Sequence, residues 1–351
     1  MRTVHLDKIS SVTRACALPH EVKLGDEIPC REGTVVAVRV RNDKSTYDQL
    51  ELPSGRLAKV QRGDILAGAL GHRHALFGYA GHLPERLAPG DVIHLLNMGG
   101  VLGICDAASP EIGPPFECEV LGAVLAFPFL GERIGVAATI AGKPLAPPPQ
   151  LLDPPPVVAL VGSCMNCGKT AAACALVHEL ARGGLVVDAL KATGVSLRRD
   201  LLALEDAGAR RTTYFTDLGV VATTDDNAAA VARGLLARLA AGRPDLVVAE
   251  LGDGLLGAYG VAAILDDAGL RAAFSAVVLA ANDPVAAWGG VRLLRDRFGI
   301  EPLAVTGPAT DNLAGTRVIE RELRVPAINA RSDGERLAAL VRERLAQEVL
   351  R

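Results

Sequence analysis

Hydrophobic and polar positions follow two different rhythms along this chain. Over residues 1–142, short Val, Ile and Leu runs are broken by glycine turns, with no sustained helical period. That pattern predicts an all-β barrel or sandwich. Residues 34–40 (TVVAVRV) read as its clearest alternating strand, with Arg39 and Arg41 outward. Gly25-Asp26, Gly63-Asp64 and Gly90-Asp91 each precede an apolar start and are expected to launch strands. Gly99-Gly100 between two apolar runs marks a tight turn or a close backbone approach.

Residues 143–156, KPLAPPPQLLDPPP, read as a semi-rigid proline-rich linker. From residue 157 to 351 apolar runs alternate with helical patterns, which predicts an α/β domain with a mostly parallel sheet. Strands are expected near 157–162, 185–191, 245–250, 276–280, 303–306 and 325–328. The final helix is expected from the capping box Ser332-Asp-Gly-Glu335, with Leu337, Leu340, Val341 and Leu345 at helical spacing.

Composition narrows the classes. With 351 residues there is room for two cores, and at 3% aromatic content these must be aliphatic. A net charge of −3 with interspersed signs argues against nucleic acid or an anionic membrane as partner. No apolar run is long enough to span a bilayer, and the N-terminus lacks the apolar core of a signal peptide. Seven scattered cysteines read as reduced thiols. A cytoplasmic protein is expected.

The chemistry concentrates at 157–170, VVALVGSCMNCGKT. A buried strand, a short polar loop and Gly-Lys-Thr at a helix start are the context of a phosphate-binding loop. The usual pattern leaves four residues between its first glycine and Gly-Lys; Gly162 leaves five, so Ser163 takes the first-glycine position. Gly162, Ser163, Asn166, Cys167, Gly168, Lys169 and Thr170 are the candidate nucleotide contacts. Lys169 is expected on the β- and γ-phosphates and Thr170 on Mg²⁺. Lys191 ends the second strand, Asp200 lies in the first turn of an expected helix, and Glu250 ends a third strand ahead of Gly252-Asp253-Gly254. A carboxylate after an apolar strand suits Mg²⁺ beside such a loop.

Other constellations are weaker. His72 and His74 would share a strand face, with His82 and His94 nearby, which admits a metal site or a solvated strand. Cys164-x-x-Cys167 admits redox gating, a soft-metal site, or two small side chains in a tight loop. Arg198, Arg199, Arg210 and Arg211 could hold an anion or form a solvated face. Asp311 or Asn312 could contact a base or cap a loop. No Asn-Lys-x-Asp guanine reader follows the fifth strand, so ATP is expected, with GTP left open.

The combination GSCMNCGKT, LKATG, SLRRDLLAL and LVVAELGDGLL resembles the dethiobiotin synthetase-like, SIMIBI-type branch of P-loop proteins over about residues 157–310. The resemblance implies Mg²⁺ held by Thr170, Asp200 and Glu250. It also implies catalysis by Lys169 and Lys191, a substrate role near Thr193, Gly252 and Asp253, and a homodimer. Two departures stand out: uncharged residues 164–166 replace an acidic one, and Asp253 replaces Gly or Ala. The resulting expectation is an ATP- and Mg²⁺-dependent enzyme that transfers a phosphoryl group to a small anionic, carboxylate-type acceptor. The alternative is a nucleotide-dependent switch or maturation chaperone whose β-domain binds a protein or a metal centre.

Overall fold

The computed structural model describes residues 1–129, 131–141, 151 and 154–349. Of the expected linker, residues 143–150 and 152–153 lie outside the described residues. The chain divides into two compact units. The first gathers Met1–Pro144 with Val195–Arg199 and Thr216–Ala222; the second holds Leu145–Gly194, Asp200–Phe215 and Thr223–Arg351. The two late segments belong to the first unit for a local reason. Buried Glu51 accepts the N–H groups of Arg198 (2.7 Å) and Arg199 (2.6 Å), and Glu32 accepts those of Val221 (2.8 Å) and Ala222 (3.2 Å). A carboxylate taking two backbone donors is a strong, charge-assisted contact.

The first unit is β-rich. Its strands are β1 (Arg2–His5), β2 (Lys8–Ile9), β3 (Glu21–Gly25), β4 (Val35–Val40), β5 (Gln49–Glu51), β6 (Leu57–Lys59), β7 (Ile65–Leu70), β8 (Arg73–His74), β9 (Tyr79–His82), β10 (Val92–Leu95), β11 (Val101–Ala108), β12 (Phe116–Ala126) and β13 (Val136–Ala137). The pairs β12–β4, β4–β7, β7–β11, β11–β10 and β10–β12 form a closed circuit. β4 is buried on both faces: Val35 and Ala37 enter one apolar cluster, Val36, Val38 and Val40 the other. Arg39 is its exposed residue, and Arg41 lies beyond the strand. Gly63-Asp64 and Gly90-Asp91 do launch strands, each glycine at positive φ and each aspartate accepting the N–H three residues back. Gly25 instead ends β3. Gly100, at φ +97°, turns the chain between β10 and β11.

The histidines do not converge. His72 and His74 stack at 6.0 Å, His82 pairs with Asp106, and His94 accepts the Cys105 N–H. Among the described residues no group of three or more His, Cys, Asp and Glu is placed to hold a metal.

The second unit is a parallel α/β sheet. Its strands are β14 (Val157–Gly162), β15 (Val187–Thr193), β16 (Thr212–Tyr214), β17 (Leu246–Leu251), β18 (Phe274–Ala280) and β19 (Ala304–Thr306), in the order β16-β15-β17-β14-β18-β19. Helices α1 (Lys169–Arg182), α2 (Arg199–Asp206), α3 (Ala228–Ala240), α4 (Val261–Asp266), α5 (Ala268–Ala273), α6 (Pro284–Phe298), α7 (Leu313–Leu323) and α8 (Gly334–Val349) connect and follow these strands. Val158 and Leu160 of β14, Leu176 and Leu180 of α1, and Leu337 and Val341 of α8 share one fully buried cluster. Each such side chain contributes about 1.5–3 kcal/mol by leaving water.

Two expectations need correction. Residues 325–328 form no strand, only an isolated bridge between Val305 and Ala327, since Pro326 has no N–H for a ladder. Edge strand β16 was not expected. At three residues it is too short to show a period. No helix among the described residues is long and apolar enough to cross a membrane.

Candidate functional site

The buried run of β14 delivers the chain into the loop at 163–168, and α1 starts at Lys169. Asn166 (φ +58°) and Gly168 (φ +95°) take left-handed conformations that bend the loop. Gly168 caps α1 and, having no side chain, puts none over the first N–H groups of the helix. Such a terminus attracts anions. A Cβ at Gly162 would lie 2.4 Å from the Cys167 sulfur and 2.7 Å from Lys169 Nζ. Glycine there leaves room for the lysine to fold back under the loop.

Lys169 is 5% exposed and donates to the Cys164 carbonyl (2.7 Å), the Asp253 carbonyl and the Cys167 sulfur (3.5 Å). The Thr170 hydroxyl donates to Glu250 Oε1 at 3.0 Å. Parallel pairing places Glu250 opposite Leu160 of β14 and Lys191 of β15, which brings three strand ends to one point. Glu250 Oε2 is buried and has no hydrogen-bond partner among the described residues. Burial pushes the Glu250 pKa up and the Asp200 charge adds to that, against Lys191, Lys169 and Thr170. Lys191 forms an ion pair with Asp200, in the first turn of α2.

The segment after β17 closes the other side. Thr193 donates to the Gly252 carbonyl at 2.9 Å, and the Leu255 N–H donates to the Gly162 carbonyl at 2.9 Å. A Cβ at Gly252 would stand 2.3 Å from the Thr193 carbonyl, and one at Gly254 2.8 Å from that of Ser163. Between these glycines Asp253 sits at φ +71°, 7% exposed, and among the described residues neither carboxylate oxygen makes a hydrogen bond of good geometry. Ser163 donates its N–H to the Ala280 carbonyl.

Thr170 and Glu250 meet directly beside the loop at 163–168 and Lys169, while Asp200 joins them through its ion pair with Lys191, the residue opposite Glu250 in the sheet. Thr193 and Gly252 hold each other and fix the two strand ends. The four arginines do not make one anion site. Arg210 and Arg211 both close on buried Asp188, and Arg198 donates to the Pro53 carbonyl.

Cys164 and Cys167 are free thiols pointing to different partners: Cys164 receives Asn282 Nδ2 at 3.0 Å, and Cys167 faces Lys169.

Asn282, Gly307 and Asn329 join the expected residues, and Asp311 stands beside Asn329. Asn282 touches the loop; its signal is the Asn-Asp-Pro opening of α6. Gly307 (φ +89°) is packed so tightly that a Cβ would lie 2.3 Å from the Cys167 carbonyl. Asp311 and Asn329 line a small pocket with Gly168, Thr306 and Arg331, and Asn329 donates to Asp311 at 2.8 Å. Asn312 instead caps α7.

No protein-family model matches the sequence, and no curated protein matches it. Solved structures share part of its fold. The signal recognition particle receptor FtsY of Elizabethkingia anophelis is 17% identical, with 57% of this chain covering 70% of that one at a TM-score of 0.39. A DUF1611 family protein of Anabaena variabilis is 16% identical over 54% of this chain and 58% of its own, TM-score 0.39. The hydrogenase maturation factor HypB of Archaeoglobus fulgidus is 13% identical over 54% of this chain and 89% of its own, TM-score 0.38. Likenesses at this level carry no inference about activity.

Proposed function

We propose that the second unit binds a purine nucleoside triphosphate with Mg²⁺ and hydrolyses it, and that the protein works as a nucleotide-dependent switch or maturation factor. The observation that carries this is the Thr170 hydroxyl on the Glu250 carboxylate, one residue from a lysine folded beneath a glycine-bounded loop. A hydroxyl and carboxylates, with one carboxylate oxygen still unpartnered, are the hard oxygen donors Mg²⁺ takes. Thr170 and Glu250 would hold the ion, with Asp200 close by. Bound there, Mg²⁺ supplies charge neutralisation at the β- and γ-phosphates. Lys169 would exchange its two carbonyl partners for phosphate oxygens.

The base pocket favours GTP over the ATP expected from sequence. Guanine offers two adjacent donors, N1–H and N2–H, to a carboxylate such as Asp311. Adenine offers one donor beside an acceptor that a carboxylate repels. The closed five-strand circuit of the first unit is read as a small barrel that serves the partner of such a switch.

A second reading, phosphoryl transfer to a small carboxylate, rests on Lys191 at a strand end. It is less favoured because Lys191 is already paired with Asp200. Titration with GTP and ATP, with and without Mg²⁺, tests both. Tight binding that needs Mg²⁺ and is lost in Lys169→Ala supports nucleotide binding; no binding to either nucleotide sinks it. Turnover that rises with one small carboxylate would shift the assignment to the second reading.

A further inference from the structure

Asp253 combines features that no stabilising role explains. It is 7% exposed, and among the described residues neither carboxylate oxygen makes a hydrogen bond of good geometry, the Gly254 N–H alone lying close enough to favour the charged form. Buried polar groups are nearly always paired, and leaving one unpaired costs stability. Its backbone is also left-handed, which non-glycine residues take at a cost. Neighbours hold it there. Gly252 is tied to Thr193 and Leu255 to Gly162, bonds that do not involve Lys169. The carboxylate packs against Gly257, where a Cβ would lie 2.0 Å from Asp253 Oδ2. A strained, unpaired carboxyl fixed from several sides beside the phosphate-binding lysine is what a reaction site requires rather than what a core requires.

Resting on the nucleotide reading above, we propose that Asp253 is the catalytic base of hydrolysis, accepting the proton of the water that attacks the γ-phosphorus. The water oxygen forms a bond to that phosphorus, and the bond from phosphorus to the β–γ bridging oxygen breaks. The electron pair stays on that oxygen, now terminal on the nucleoside diphosphate. The water proton moves to an Asp253 carboxylate oxygen and leaves with phosphate or solvent. Glu250, bonded to Thr170, serves the metal side, so the two carboxylates have separate tasks. Burial raises the Asp253 pKa, with the Lys169 charge and the Gly254 N–H pulling the other way, and a base works best when its pKa lies nearer the working pH.

Asp253→Asn tests the assignment in the full-length chain. Asparagine has the same shape, tolerates left-handed backbone and cannot take the proton. The expected result is Mg²⁺–GTP affinity within about threefold of wild type, an unchanged or higher Tm, and a kcat lower by about a hundredfold or more. A kcat within about threefold of wild type overturns the proposal. So does a wild-type protein that binds GTP but turns over neither GTP nor ATP, which leaves nucleotide binding intact. A wild type that binds no nucleotide fails one step earlier, and both readings fall together. Should Asp253→Asn not fold, Asp253→Gly gives the same comparison, since glycine suits φ +71°.

Discussion

On the proposed nucleotide reading, Asp311 would make the choice of base a single-residue question. Asn329 holds its carboxylate from one side, so the group is oriented before any base arrives. A hydrogen bond to a charged partner contributes about 1.5–3 kcal/mol. Asp311→Ala is therefore expected to weaken GTP about tenfold or more and to leave ATP nearly unchanged. Competition of the two nucleotides for the same protein reads this directly, and an unaltered GTP:ATP ratio would remove Asp311 from base recognition. Lys169 shows the same economy of position. Its ammonium is buried on two backbone carbonyls, contacts that a phosphate can replace without moving the helix that carries it.

Among the elements, the loop at 163–168 is shaped as much by its neighbours as by its own residues. Gly254 approaches it from the end of β17 and Gly307 from the end of β19. Gly307→Ala would set a methyl group 2.3 Å from the Cys167 carbonyl and force a side chain into φ +89°. A conformation of that kind costs about 1–3 kcal/mol. A lower Tm and at least a tenfold loss of nucleotide affinity are expected, because the loop must shift to admit the methyl. Wild-type affinity in that variant would mean the loop is not held from this side. The start of α8 lies one residue later than the capping box implies: the helix begins at Gly334, while Asn329 receives the N–H groups of Arg331 and Ser332 just before it.

For the molecule as a whole, acid stability should depend on Asp188. Burial alone would raise its pKa, but hydrogen bonds and charge from Arg210 and Arg211 outweigh that and hold the carboxyl below the usual aspartate range. A depressed folded pKa means the stabilisation is complete above the unfolded value of about 3.9 and is lost as pH falls through the lower folded value. Asp188→Asn should therefore lower the Tm at pH 7, and the gap from wild type should narrow below about pH 4. A gap that stays constant down to pH 2 would contradict the pairing. Much of this architecture was legible from sequence. The run at 157–162, the turn residues and Gly168-Lys169-Thr170 lie within a few residues of one another, and local steric and hydrophobic rules act at that range. Glu250 and Lys191 could be named because each ends an apolar strand. Tertiary structure alone decided the order of the strands, the pairing of Lys191 with Asp200, and the isolation of the Asp253 carboxyl. It also decided the membership of 195–199 and 216–222 in the first unit. Each of these depends on groups distant in sequence meeting in space, and neither periodicity nor spacing encodes whether a buried group finds a partner there.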